Sequence, residues 1–206
     1  GGSKADIYRV NLGTGERVLV EPGLSRTMGF SPDGKWFLYL KGGHVYSYEM
    51  ATAKKTQIDG TKSFVNAQDD HDYEKPVYGV AGFSADGKSA LLYDRYDVWA
   101  LALAGGSAPV NITKGEGAKQ EVRFRVASLA PSRGGGGGRG GGGGRGGGAG
   151  AEPIDLAKPV TLSATGEWTK KSGYFELSPG GAPTPLIWAD KSIGAPSVAR
   201  NADRMI

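Results

Sequence analysis

Two strings, GFSPDGKW at Gly29–Trp36 and GFSADGKS at Gly82–Ser89, constrain this chain more than any other feature. Each closes one strand, turns at Asp-Gly, and opens another. Glycine suits the corner because it adopts positive φ without steric cost. Strands follow at once, WFLYL at Trp36–Leu40 and SALLY at Ser89–Tyr93. A second unit returns four times: DIYRVNLGTGERVLV from Asp6, HVYSYEMATAKKTQI from His44, DVWALALAGGSAPVNI from Asp97 and SGYFELSPGGAPTPLI from Ser172. Each reads as strand, small-residue turn, strand. An aromatic stands near each start: Tyr8, Tyr46, Trp99 and Phe175. Strand alternation places those aromatics on one face and Ile7, Val45 and Val98 on the other.

Together the two patterns predict a four-stranded antiparallel module. The first runs roughly Gly23–Asp59 and the second roughly Pro76–Thr113. The third starts near Gln120 with EVRFRVASLA and continues through KPVTLSA, SGYFELS and PTPLIW. Before the first module stands a lone hairpin, Asp6–Val20; after the third stands one opening strand, GAPSVARNADRMI. Helical periodicity is almost absent. The expected class is all-β: a partial β-propeller over 1–206, with about three complete blades and a partial blade at each end. The chain reads as cut at both ends, so the first and last sheets are expected to expose apolar faces and unpaired edges.

Residues 133–150, RGGGGGRGGGGGRGGGAG, fall between the first and second strands of the third module. Fourteen of the 36 glycines lie there, with Arg133, Arg139 and Arg145 and no acid. Those arginines supply three of the four net positive charges, so the remainder of the chain is nearly neutral. Without aromatics the run cannot stack bases. It is expected to be a low-complexity hairpin loop, tolerated because closure entropy grows slowly with length, and no nucleic-acid partner is expected.

The sequence holds no cysteine, which removes disulfides, thiolate metal sites and a cysteine nucleophile. No apolar run approaches a membrane span, and no membrane partner is expected. G-x-S-x-G, a P-loop and H-E-x-x-H are all missing, so no catalytic, cofactor or metal residue is assigned. The densest polar stretch is NAQDDHDYEKP at Asn66–Pro76. Its spacing fits neither an EF-hand nor a helix-borne zinc site; it reads as a solvated connection between blades. Asp70, His71 and Glu74 are its candidate rim contacts. Glu167 and Trp168, in the turn GEWTKKSG, are the other candidates, although Trp168 fits a structural role better. His44 reads as a surface residue opening a strand.

Four longer strings, SRTMGFSPDGKWFLYLKGGHVYSYEMATAKK, DDHDYEKPVYGVAGFSADGKSALLYDRYDVWAL, NITKGEG…VRFRV and IDLAKPVTLSATGEWTKKSGYFEL, resemble the N-terminal propeller of bacterial serine peptidases of the prolyl oligopeptidase family. The resemblance covers nearly the whole chain except the glycine run. It implies a parent in which the propeller gates peptide substrates over a C-terminal α/β-hydrolase domain, absent here, that carries the Ser-Asp-His triad. It also implies a periplasmic or secreted address. No catalytic residue carries over, and this chain alone is expected to be inactive. The paired-glutamate motif of dipeptidyl peptidases is not recognisable. The Asp-Gly repeat also occurs in TolB-like propellers, so a protein-binding scaffold of that kind is the alternative.

Overall fold

The computed structural model describes residues 4–72, 74–127 and 152–194. A two-stranded hairpin, β1 (Ala5–Val10) and β2 (Arg17–Leu24), precedes three four-stranded sheets. The first sheet holds β3 (Arg26–Phe30), β4 (Trp36–Lys41), β5 (His44–Glu49) and β6 (Lys55–Gln57). The second holds β7 (Val80–Phe83), β8 (Ser89–Tyr93), β9 (Val98–Ala102) and β10 (Val110–Asn111). The third holds β11 (Val122–Val126), β12 (Val160–Gly166), β13 (Ser172–Leu177) and β14 (Pro183–Ala189). Every sheet is a simple antiparallel meander in chain order. The expected all-β class and the order of the modules are thus observed. The one departure among the described residues is α1 (Glu116–Gln120), a single helical turn before β11.

Side-chain chemistry accounts for the repeated turn. In the first sheet the Ser31 hydroxyl donates to Asp33 at 2.6 Å, and the Lys35 amide donates to the same oxygen at 3.1 Å. The second sheet repeats this with Ser84, Asp86 and Lys88 at 2.5 and 3.0 Å. Gly34 and Gly87 sit at φ 69° and 68°, where a Cβ would clash with the backbone. The serine hydroxyls hold both aspartates below the ordinary carboxylate range.

Packing between the sheets follows strand alternation. Val45 and Leu40 face the second sheet, in a core with Leu92, Leu101 and Leu103. Val98 faces the third sheet, in a core with Phe124, Leu162 and Phe175. The repeated aromatic points the other way, back onto the preceding sheet: Tyr46 toward the hairpin, Trp99 toward the first sheet, Phe175 toward the second. Tyr8 has no preceding sheet among the described residues and is 49% exposed. Central strands such as β4 are therefore apolar on both faces, which is how a blade between two neighbours must read. Successive sheets stack face to face, and the chain is a partial β-propeller of antiparallel blades.

Polar contacts reinforce the stacking. The Ser47 hydroxyl of the first sheet donates to the Leu103 carbonyl of the second at 2.6 Å. The Val126 amide of the third donates to the Tyr93 hydroxyl of the second at 3.0 Å. Arg125 lies over the Tyr93 ring at 4.4 Å and donates to the Asp94 and Arg95 carbonyls. Glu21, nearly buried on β2, joins the hairpin to the first sheet through Lys41, Lys55 and Tyr39. Burial alone would raise its carboxyl, but hydrogen bonds from the two lysines outweigh that and hold it low.

The outer faces of the hairpin and of the third sheet differ in how much apolar surface they expose. Tyr8, Val10 and Leu19 leave an apolar face on the hairpin. On the third sheet the outward positions of β12 and β13 are Thr161, Ser163, Thr165, Ser172, Tyr174 and Glu176, mostly polar, while β14 exposes Leu186 and Ile187. The opening strand expected after it lies largely outside the described residues, as does the glycine run.

The strands flanking that run, β11 and β12, pair antiparallel, so the run joins neighbouring strands of one blade. The returning chain is tied down in an unexpected place. Ile154 forms a parallel bridge with Ser84, donating to the Phe83 carbonyl and accepting from the Ala85 amide, both at 2.8 Å. The third blade's long loop thus rejoins the structure against the second blade's Asp-Gly turn.

Candidate binding rim

An antiparallel meander sorts its loops by end. Turns between strands one and two, and three and four, share one rim of the stack. Turns between strands two and three share the other rim with the connections from blade to blade. The first rim carries both Asp-Gly turns, and the described chain leaves β11 and returns at Ile154 on the same side. The second carries turns 42–43, 94–97 and 167–171 and connections 58–79 and 112–121. All five candidate residues, Asp70, His71, Glu74, Glu167 and Trp168, fall on this second rim.

The structure separates them into two groups. Asp70, His71 and Glu74 belong to the connection between the first and second blades. The Asp70 side chain is 99% exposed and ends 3.9 Å from the His71 ring. Asp69 receives the His71 amide at 3.1 Å and faces its Nδ1 at 2.9 Å, contacts that hold the Asp69 carboxyl low. Glu74 is a structural staple. Its carboxylate accepts from the Ser25 hydroxyl and the Gly43 amide, and its carbonyl accepts from Arg26 Nε at 3.1 Å. These bonds fix the connection beside an open cleft of about 530 Å³ between inner strands β3 and β7, lined by Arg26, Met28, Leu40, Pro76, Val77 and Val80.

Glu167 and Trp168 occupy the β12–β13 turn, at the junction of the second and third blades. Arg95 grips Glu167 with two donors, and Arg123 Nη2 lies 3.4 Å away. The Glu167 amide donates to the Glu121 carbonyl at 2.9 Å, which joins the turn to the end of α1. The carboxyl falls to about 2, chiefly because Arg95 donates to it, with burial opposing and Tyr96 and Arg123 assisting. A depressed carboxyl stabilises the fold fully above the ordinary glutamate value and loses that contribution as pH falls toward 2. Carboxyl NMR is therefore expected to show Glu167 titrating near pH 2 in the intact chain and near the ordinary range in Arg95→Ala. An ordinary titration in the unaltered chain would contradict the pairing.

Trp168 is 67% exposed and lies outside the apolar cores between the blades. Sequence reasoning missed Arg95 and Arg123. They lie 72 and 44 positions from Glu167; blade stacking brings Arg95 to it, and the pairing of β11 with β12 brings Arg123. His44 opens β5 and meets the buried Asp59 at 3.1 Å. Among the described residues no three His, Asp or Glu side chains converge as metal ligands, and no helix is long and apolar enough to cross a membrane.

No family model and no curated protein matches this chain. A solved structure does. It is that of a protein assigned as TolB from Agrobacterium tumefaciens, at 14% identity and a TM-score of 0.35, with 96% of this chain and 73% of that one covered.

Proposed function

We propose that the chain is a non-catalytic propeller scaffold that binds a protein segment through its connection-bearing rim. The observation that carries this reading is how the rim's polar groups are used. Glu74, Asp94, Asp97 and Glu167 are all committed to holding loops and blades in place. The serine at the cleft, Ser25, donates to Glu74. The rim is thus rigidly built, while its cleft and Trp168 stay open to solvent, an arrangement suited to recognition on a preorganised surface. The strings quoted above favour a second occupant of the same rim. This is the α/β-hydrolase domain of a prolyl oligopeptidase-type parent, with peptide substrate gated between the two and export to the periplasm.

A random peptide library displayed against the purified chain tests the scaffold reading. Enriched peptides are expected to protect amides in 58–79, 94–97 or 167–171 from hydrogen exchange, and to be recovered intact. Protection confined to the Asp-Gly rim, absence of enrichment, or cleavage of the peptides would each overturn it.

A further inference from the structure

The second blade shows how this chain holds an extended segment. Its inner strand β7 stands at the end of its sheet, with one edge paired to β8. On the other edge Ile154 lies parallel to the strand. Its amide donates to the Phe83 carbonyl and its carbonyl accepts from the Ala85 amide, both at 2.8 Å. A Cβ on Gly82 would stand 3.2 Å from Ile154 Cδ1, so glycine leaves room for that side chain.

The inner strand of the first blade, β3, is built alike. It carries the same Gly-Phe-Ser before its turn and the same bulge, at Met28 where β7 has Ala81. In both sheets the serine amide bonds across the turn, Ser31 to the Trp36 carbonyl and Ser84 to the Ser89 carbonyl. Antiparallel ladders alternate hydrogen-bonded and open pairs. Counted back from Ser31 and across the bulge, Phe30 and Thr27 fall at open pairs, opposite Phe37 and Tyr39. Their amides and carbonyls therefore point away from β4, as the Phe83 carbonyl points away from β8. Thr27 is exposed, and Phe30 is 44% exposed. Thr27 also lines the open cleft, beside the apolar Met28, Leu40, Val77 and Val80.

One difference sets the direction of an occupant. Position 32 is proline where the second blade has Ala85. Proline has no amide hydrogen, so a parallel segment cannot be held at this turn as Ile154 is held at the other. An antiparallel segment needs no donor there. It exchanges amide and carbonyl bonds with Thr27 and Phe30 and lays alternate side chains on the apolar wall of the cleft. Resting on the scaffold reading, we infer that the free edge of β3 binds an extended segment of a partner protein by antiparallel strand addition, with apolar residues at alternate positions facing the cleft.

The probe is a hexapeptide of alternating threonine and valine, blocked at both ends and titrated into the isotope-labelled chain. The Thr27 and Phe30 amides are expected to shift saturably and to exchange more slowly, with Overhauser contacts between α protons of the peptide and of β3. Methylating every amide nitrogen of the peptide removes its donors and should weaken binding by about tenfold or more. Thr27→Pro should weaken it similarly, because an edge strand tolerates proline where the amide faces solvent. Thr27→Val keeps the amide and should keep the binding. Should the proline variant fail to fold, the methylated peptide still decides. No saturable shift, equal binding of the methylated peptide, or shifts confined to Phe83 and Ala85 would overturn the inference. Protection of Thr27 that grows with chain concentration and needs no peptide would replace the partner with a second copy. Library peptides that protect 94–97 or 167–171 while Thr27 exchanges as in the free chain would sink strand addition and leave the scaffold reading intact.

Discussion

Replacing Phe124 with alanine is expected to lower the unfolding free energy by about 3–5 kcal/mol. Phe124 lies on the inner strand β11, fully buried in the core between the second and third blades. Its ring meets Phe175 edge-on, with centroids 5.1 Å apart. Val98 and Tyr93 cover it from the second blade. The hole left by alanine cannot close cheaply, because its walls belong to two separate hydrogen-bonded ladders. Urea denaturation checks this. Were the sheets not stacked, Phe124 would be a solvent-facing residue of a lone sheet, and its loss would change stability by about 0.5 kcal/mol or less.

Asp97→Ala is expected to cost about 3 kcal/mol, since it strips a buried acceptor from several donors at once. Asp97 is 1% exposed. It accepts from the Thr113 hydroxyl at 2.6 Å and from the amides of Gly117 and Ala118 at 3.0 and 3.1 Å. The start of β9, the end of the second blade and α1 thus depend on one carboxylate. A Cβ on Gly117 would meet Asp97 Oδ1 and the Tyr96 and Val122 carbonyls, all within 2.9 Å, so only glycine lets the helix turn close on it. Asp97→Asn should recover little, because one acceptor becomes a donor facing an amide. Hydrogen exchange at Gly117 and Ala118 should quicken in both variants. Unaltered stability and protection would show that the network does not hold this junction.

These two residues also mark what the sequence made legible. Phe124 sits in an alternating apolar run, and the strings EVRFRV, KPVTLSA and SGYFELS located β11, β12 and β13, with the face of Phe175 assigned by alternation. The repeated Ser-x-Asp-Gly turn was legible because its chemistry is local: serine, aspartate and glycine act within five residues. Asp97 opens a recognised strand, but its partners lie 16 to 21 positions away in a stretch without helical periodicity. The Arg95–Glu167–Arg123 group and the Ile154 bridge were invisible for the same reason. Arg95 and Ile154 reach their partners only after blades stack, and Arg123 reaches Glu167 only after β11 pairs with β12; no local spacing encodes either contact. The polar outward positions of β12 are legible in the alternation of Thr161, Ser163 and Thr165, and the apolar exposure expected at that end falls on Leu186 and Ile187 of β14.

The account depends most on successive sheets packing face to face as blades. Nuclear Overhauser contacts between sheets test it directly: the Tyr93 ring to the Val126 amide, and Phe124 to Val98 for the second and third blades, with Ser47 to Leu103 for the first and second. All three sets are expected, with slow exchange of the Val126 amide. Contacts confined within each sheet, with none of these across the junctions, would contradict the propeller and the rim built on it.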